Sequence, residues 1–190
     1  MKKSLFLIMT VFILICFLYI TMTINASEKA PQKVIDLTNK VLIKYETDPV
    51  IIKAVNAENA KGKTLDQVKE FDKKWRETPG IADFMKEYMD SECGKYIQNI
   101  QKSKAYFAEI FVMDKLGANV AMTDKTSDYW QGDEDKFIKS FNGGKGGIHI
   151  SDVEFDDSTQ AYLVQVSIPV KDGTRVIGAI TFGIDVDRTE

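Results

Sequence analysis

The sequence is poor in the residues that most enzyme and metal sites require. It has one histidine, His149, and two cysteines, of which Cys16 lies in the apolar N-terminal run and Cys93 stands alone beyond it. A single histidine with no cysteine pair supplies no zinc cluster. A single cysteine in the remainder of the chain rules out an intramolecular disulfide there, so packing has to hold the fold. No Gly-x-Ser-x-Gly elbow is present to support a Ser-His-Asp triad around His149. Lys61-Gly62-Lys63-Thr64 looks like the end of a P-loop, but Ala57 stands where its first glycine belongs and no strand precedes it. The acids Asp124, Asp128, Asp133, Glu134 and Asp135 lack the Asp-x-Asp-x-Asp-Gly spacing of an EF-hand. Basic excess is missing too. The net charge is −3 overall, and −5 once Lys2 and Lys3 are set aside with the leader, which argues against nucleic acid as a partner.

What is present begins with a leader. Lys2 and Lys3 precede an uncharged apolar run from Leu5 to Ile20, and Ile24-Asn25-Ala26-Ser27 forms a small-residue exit. This is the order of a secretory signal. The uncharged stretch from Ser4 to Ala26 is also long enough to span a bilayer, for which about 20 apolar residues suffice. Residues 1–26 therefore read as a signal peptide or an N-terminal membrane anchor. Either way the lysines stay inside and the rest is exported, to the periplasm or the extracellular space, free or held at the inner membrane by residues 4–26.

The exported part changes period half-way. From Pro31 to about residue 103 the apolar spacing is helical. Asp48-Pro49 marks a helix start, Thr64-x-x-Gln67 a capping box, and Thr78-Pro79-Gly80 a break. One long helix is expected from Ile81 to Ser103. From Phe107 onward strands take over: 107–113, a hairpin partner at 119–122, then 148–155, 161–170 and 175–186, with a short helix at 134–141. Asp172-Gly173 is a tight-turn signal. Val164, Val166 and Ile168 alternate with Gln165 and Ser167, so that strand has one face half-exposed or lining a pocket. The expected architecture is α+β: helices at 27–105, then a five-stranded antiparallel sheet at 106–190. The loop Thr126–Asp133 sets Tyr129 and Trp130 beside Asp128, Gln131 and Asp133, the mixture of aromatic walls and placed polar groups that suits a small-molecule pocket. The same aromatics would equally serve to pin the loop to the sheet.

From Ala108 onward the segments EIFVMDKLGANVAMT, TSDYWQGDEDKF, GGIHISDVEFDD and YLVQVSIPVKDGTRVIGAITFGIDVD resemble the extracytoplasmic Cache (PDC, PAS-like) sensor domains. The helices carrying DPVIIKAVNAENA and FDKKWRETP resemble those of small exported single-Cache proteins. The resemblance implies a ligand pocket between a PAS-like sheet and the loops over it, and ligands such as small organic acids and amino acids. Asp185 stands where family members often place an acid near the ligand's amine. The family's arginine clamp for an α-amino acid is replaced here by acids and Lys136. Family receptors continue into a second membrane helix and an output module, whereas this sequence ends at Glu190, so a binding role without an output of its own is expected. The candidate ligand-binding residues are Asp128, Tyr129, Trp130, Gln131, Asp133 and Asp185. No catalytic residue, metal or cofactor is expected. The candidate partners are a small organic metabolite, a membrane receptor or histidine kinase, and a second copy of the chain. The competing reading is a structural or interaction protein on the same fold that docks through its helices and holds no free ligand.

Overall fold

The computed structural model describes residues 28–156 and 159–189. The leader expected at 1–26 lies outside them. No helix among the described residues is long and apolar enough to cross a membrane.

The first half is helical, and its punctuation follows the sequence signals. Helix α1 (Gln32–Lys40) leads into a 3-10 segment, Leu42–Thr47. Helix α2 (Pro49–Ala60) has Pro49 in its first turn, and the Asp48 carboxylate accepts from the Val50 and Ile51 amides at 2.9 and 3.3 Å. Helix α3 (Leu65–Glu77) starts with the full Thr64/Gln67 capping box. The long helix expected over 81–103 is instead two, α4 (Asp83–Asp90) and α5 (Glu92–Lys102). Ser91 divides them. Its backbone is extended and its hydroxyl caps the new helix by accepting from the Gly94 amide at 2.9 Å. Gly94 makes the corner tight: a Cβ there would lie 2.3 Å from the Met89 carbonyl oxygen.

The second half is the sheet. Strands β1 (Phe107–Met113) and β2 (Asn119–Met122) form a hairpin, and helix α6 (Asp135–Phe141) follows. The strand expected at 148–155 is two short pieces, β3 (His149–Ile150) and β4 (Glu154–Asp156), both paired to β5 (Ala161–Asp172). Strand β6 (Arg175–Asp185) returns through the Asp172–Arg175 turn, where Gly173 takes φ +60°. All pairings are antiparallel, in the order β2-β1-β6-β5-β3, with β4 also on β5. The class is α+β, with helices followed by an antiparallel sheet, as expected.

Strand alternation divides the core in two. Ile110, Val112, Val164, Val166, Ile168, Ile180, Phe182 and Ile184 pack with Val34, Leu42, Ile51, Val55 and Ile97 of the helices. Phe111, Met113 and Ala179 pack with Trp75, Met85, Tyr129 and Phe137 on the other side. Helix α6 lies against β5 and β6. The chain enters the fold along the sheet edge: the Val153 amide donates to the Glu28 carbonyl at 2.7 Å, and Lys29 pairs with Asp152 at 2.9 Å.

Candidate functional site

The loop between β2 and α6 is tied down from both sides. The Asn119 amide donates to the Tyr129 carbonyl at 3.0 Å and the Gln131 amide to the Gly117 carbonyl at 2.8 Å, so the loop returns beside the β1–β2 hairpin. From α3, Asp72 accepts from the Tyr129 and Trp130 amides at 2.8 and 3.1 Å. Arg76 Nε lies 3.0 Å from Asp72 and 3.5 Å from Asp128. Trp75 donates its indole N–H to the Thr126 carbonyl at 2.9 Å.

These ties set the direction of the expected site residues in the loop. Tyr129 is buried among Phe71, Trp75 and Tyr88, with ring centroids 4.7 to 5.6 Å away. Its hydroxyl accepts from Lys63 at 2.8 Å. Burial, with Glu58 and Asp114 close by, pushes that hydroxyl's pKa above the usual tyrosine range. Lys63 also pairs with Glu58, as does Lys61. Burial works against charging Glu58, but the two lysines outweigh it and hold its carboxyl below the ordinary range. Gln131 is buried as well; its Nε2 donates to the Asp128 carbonyl at 2.8 Å. Its Oε1 and the Oδ1 of Asn119 have no hydrogen-bond partner among the described residues. Trp130 is half-buried. Its indole N–H donates to the Leu116 carbonyl at 2.8 Å, and the Lys69 ammonium sits 4.5 Å above its ring. Trp130, Asp128 and Asp133 line one polar cleft of about 520 Å³ with Lys69, Asp72 and Arg76. Asp185 is elsewhere, at the end of β6, paired with Arg188 at 3.1 Å. Of the six expected residues, three therefore share a cleft, two point into the protein and one belongs to a different cavity.

That other cavity opens on the face of the sheet opposite the first group of helices. Glu109, Gly183 and Gln165 lie side by side across β1, β6 and β5. Gln165 Nε2 donates to Glu109 Oε1 at 3.1 Å. In the adjoining row Ser167 and Thr181, both fully buried, share a hydrogen bond of 2.8 Å. Gly183 makes the first row fit, since a Cβ there would lie 2.5 Å from Glu109 Cγ. Glu109 is only 9% exposed, and burial, with Asp156 and Asp124 adding to it, lifts its pKa to about 7 against the pull of Lys136 and the Gln165 hydrogen bond. Lys136 of α6 lies over the Phe111 ring, 5.4 Å from its centroid, and pairs with Glu134 at 2.9 Å.

Two openings flank this polar row. One, of about 400 Å³, is lined by Phe107, Glu109, Asp124, Lys125, Asp185 and Arg188 among others. The second, of about 430 Å³, is lined by Lys29, Lys136, His149, Asp152 and Gln165 among others. Burial and then Lys139 lower the pKa of His149. Among the described residues no group of three or more His, Cys, Asp or Glu is placed to hold a metal. The arrangement is suited to binding, with charged and hydroxylic groups held on a rigid sheet. The alternation of β5 marked Gln165 and Ser167 in advance. Glu109 escaped the sequence reading, although a lone acid within the apolar run FAEIFVM is itself a signal.

No family model matches the chain, and no curated protein matches it. Among solved structures, the chain is similar to sensor domains. The sensor domain of the V. cholerae histidine kinase DctB is 12% identical, with 82% of this chain and 51% of that one covered and a TM-score of 0.44. The sensory domain of the Campylobacter jejuni chemoreceptor Tlp3 with isoleucine bound is 13% identical, with coverage of 84% and 65% and a TM-score of 0.41. The ligand-binding domain of the Pseudomonas aeruginosa PAO1 amino acid chemoreceptor PctC with GABA is 10% identical, with coverage of 74% and 59% and a TM-score of 0.39. The chain spans about half the length of the first of these and less than two thirds of the other two.

Proposed function

We propose that the chain is an exported sensor-type binding module of the Cache kind, which holds a small metabolite and presents the bound state to a signalling partner. The observation that carries this reading is the polar row on the sheet. Glu109, Gln165, Ser167 and Thr181 occupy sheet positions that could all have been apolar, and Glu109 is removed from water beside open cavities. Buried polar groups are costly unless they are satisfied, so a carboxyl left with one hydrogen bond beside a cavity is better explained by a ligand than by stability. Ligand would favour one arrangement of the loop, α6 and the sheet edge, and a partner would read that arrangement. Residues 1–26, as signal or anchor, place the module outside the cytoplasm in this proposal, and the N-terminal residue of the mature protein decides between release, starting at Ser27, and retention.

The second reading, a docking or structural protein without free ligand, has one observation in its favour. The space beneath the 123–133 loop is filled by Phe71, Trp75, Phe84, Tyr88 and Tyr129, rings of the chain itself. A metabolite screen by thermal shift on the wild type, Trp130→Ala and Gln165→Ala separates these readings. Stabilising hits lost in Gln165→Ala locate the ligand on the sheet, and hits lost in Trp130→Ala locate it in the loop cleft. An empty screen together with a stable oligomer on sizing supports the docking protein and overturns the sensor.

A further inference from the structure

We infer that the exposed ring pair Phe155 and Tyr162 is a lipid-contact surface, by which the domain lies against the outer face of the membrane that residues 1–26 cross. This rests on the export reading of those residues and commits it to the anchor. It is independent of any ligand.

The first ground is the pair itself. Phe155 of β4 and Tyr162 of β5 are register partners, and their rings meet edge to face with centroids 5.2 Å apart. They are 50% and 53% exposed, and no other Phe, Tyr or Trp among the described residues is exposed. Tyr162 shares a strand face with Val164 and Val166, which the helices cover. At Tyr162 and Phe155 that cover has ended. Exposed apolar side chains that adjoin one another, unlike scattered ones, mark a contact surface.

The second ground is the place where the leader meets the fold. The uncharged stretch from Ser4 to Ala26 ends two residues before Glu28. A span of about 20 residues takes up nearly all of it, so only about 7–17 Å of extended chain separates Glu28 from the hydrocarbon. Glu28 in turn is fixed to the sheet. Its carbonyl accepts from the Val153 amide at 2.7 Å, and its neighbour Lys29 pairs with Asp152 at 2.9 Å. Phe155 follows Val153 by two residues, about 7 Å of strand. The pair is therefore held at headgroup depth, where aromatic side chains collect on membrane proteins. A phenol suits that depth, with its ring in lipid and its hydroxyl in water.

The third ground is the direction of the charges. Alternation turns Glu154 and Asp156 to the opposite side of β4 from Phe155. Asp156 is engaged there by the Thr159 amide and hydroxyl at 2.8 and 3.0 Å. The edge carries Asp152, Glu154 and Asp156 against Lys29, so the lipid it suits is zwitterionic and not anionic. Anchor and ring pair together hold the domain in one orientation, with the Asp172–Arg175 turn at the far end of β5 directed away from the bilayer.

The test uses the full chain in phosphatidylcholine nanodiscs, with and without lipid brominated near the headgroup end of its acyl chains. Phe155→Trp adds an indole to the two of the wild type. The emission it adds is expected to be quenched at least about twofold by the brominated lipid, as befits an aromatic at headgroup level. Emission added by Thr174→Trp, exposed in the turn at the far end of β5, is expected to be unquenched. Should Phe155→Trp not fold, amide NMR of the wild type replaces it. Lipid with a spin-labelled headgroup must then broaden residues 153–156 and 161–163 and spare 172–175. An unquenched indole at 155, equal quenching at 174, or the absence of that broadening overturns the inference. A disulfide between two copies at Tyr162→Cys, with position 155 unquenched, overturns it in favour of a second copy on the pair. A mature chain that starts at Ser27 also overturns it, because the anchor is then gone. Each of these results leaves ligand binding standing, since the metabolite screen decides that separately.

Discussion

Gln165 donates to the Glu109 carboxylate at 3.1 Å across the top of Gly183, so the outer two of three neighbouring strands are joined over a residue with no side chain. The pair spans three strands of the sheet. It puts a titrating group, a glycine with a steric duty and a pocket-facing amide into one row, and each can be tested by itself.

Glu109 should give the protein a stability that declines from acid to neutral pH. Its pKa of about 7 in the fold lies above the 4.5 of the free side chain. Between those values the native state holds a proton that the unfolded chain has released, so native stability falls as pH rises from about 4.5 to about 7 and levels off above. The full effect is of the order of 3 kcal/mol, at about 1.4 kcal/mol per unit. Urea unfolding of wild type and Glu109→Gln at pH 5 and pH 8 isolates it from the other titrating groups. The variant should gain on the wild type at pH 8 relative to pH 5. An unchanged difference between the two pH values would remove Glu109 from the buried set.

Gly183→Ala should cost about 1–3 kcal/mol, the usual range for overpacking. The added Cβ would stand 2.5 Å from Glu109 Cγ and 3.2 Å from Leu163 Cδ1. The first clash disappears in a Glu109→Ala background, so the second substitution should cost measurably less there. Additive costs in the double-mutant cycle would show that the glycine is required for another reason.

Cys93 should behave as an inert thiol. It is 3% exposed, and burial, with Asp48 and Glu92 adding to it, pushes its pKa up to about 12. Thiolate is the reactive form, so iodoacetamide at pH 8 should leave Cys93 unmodified over hours in the folded protein and label it within minutes in urea. Rapid labelling of the native protein would contradict this placement.

The parts of the fold that the sequence shows are those written in short-range chemistry. Asp48-Pro49, Thr64-x-x-Gln67 and Asp172-Gly173 each act within a few residues, and each appears in the structure where the pattern puts it. The break at Ser91 is hidden because apolar spacing runs through it, while the close passage of Met89 over Gly94 is a feature of three-dimensional packing. The candidate site divides along the same line. Alternation along β5 marks Gln165 and Ser167 as members of a special face. That Glu109 meets Gln165 depends on β6 lying between β1 and β5, a strand order that no local pattern contains. Tyr129 and Trp130 are neighbours in sequence, yet the first enters the aromatic core and the second lies half-exposed on the cleft, because Asp72 fixes both of their amides.

Asp72 is therefore the residue whose loss should release the loop. It is 5% exposed, accepts from the Tyr129 and Trp130 amides at 2.8 and 3.1 Å, and is held by Arg76 at 3.0 Å. Asp72→Ala leaves two amides without their acceptor and frees Arg76 from one of its two carboxylates. Buried groups stripped of a partner cost about 1–3 kcal/mol each, but the Trp130 amide is only part-buried and water can reach it, so a total of about 2–4 kcal/mol is expected. Lost packing elsewhere would produce a similar drop, so stability alone does not identify the cause. Hydrogen exchange does: the Tyr129 and Trp130 amides should lose protection while those of β1, β5 and β6 keep theirs. Asp72→Asn keeps an acceptor oxygen and should restore much of that protection, though not the charge that holds Arg76. Uniform loss of protection in Asp72→Ala, sheet included, would mean that Asp72 supports the whole domain and does not specifically clamp the loop.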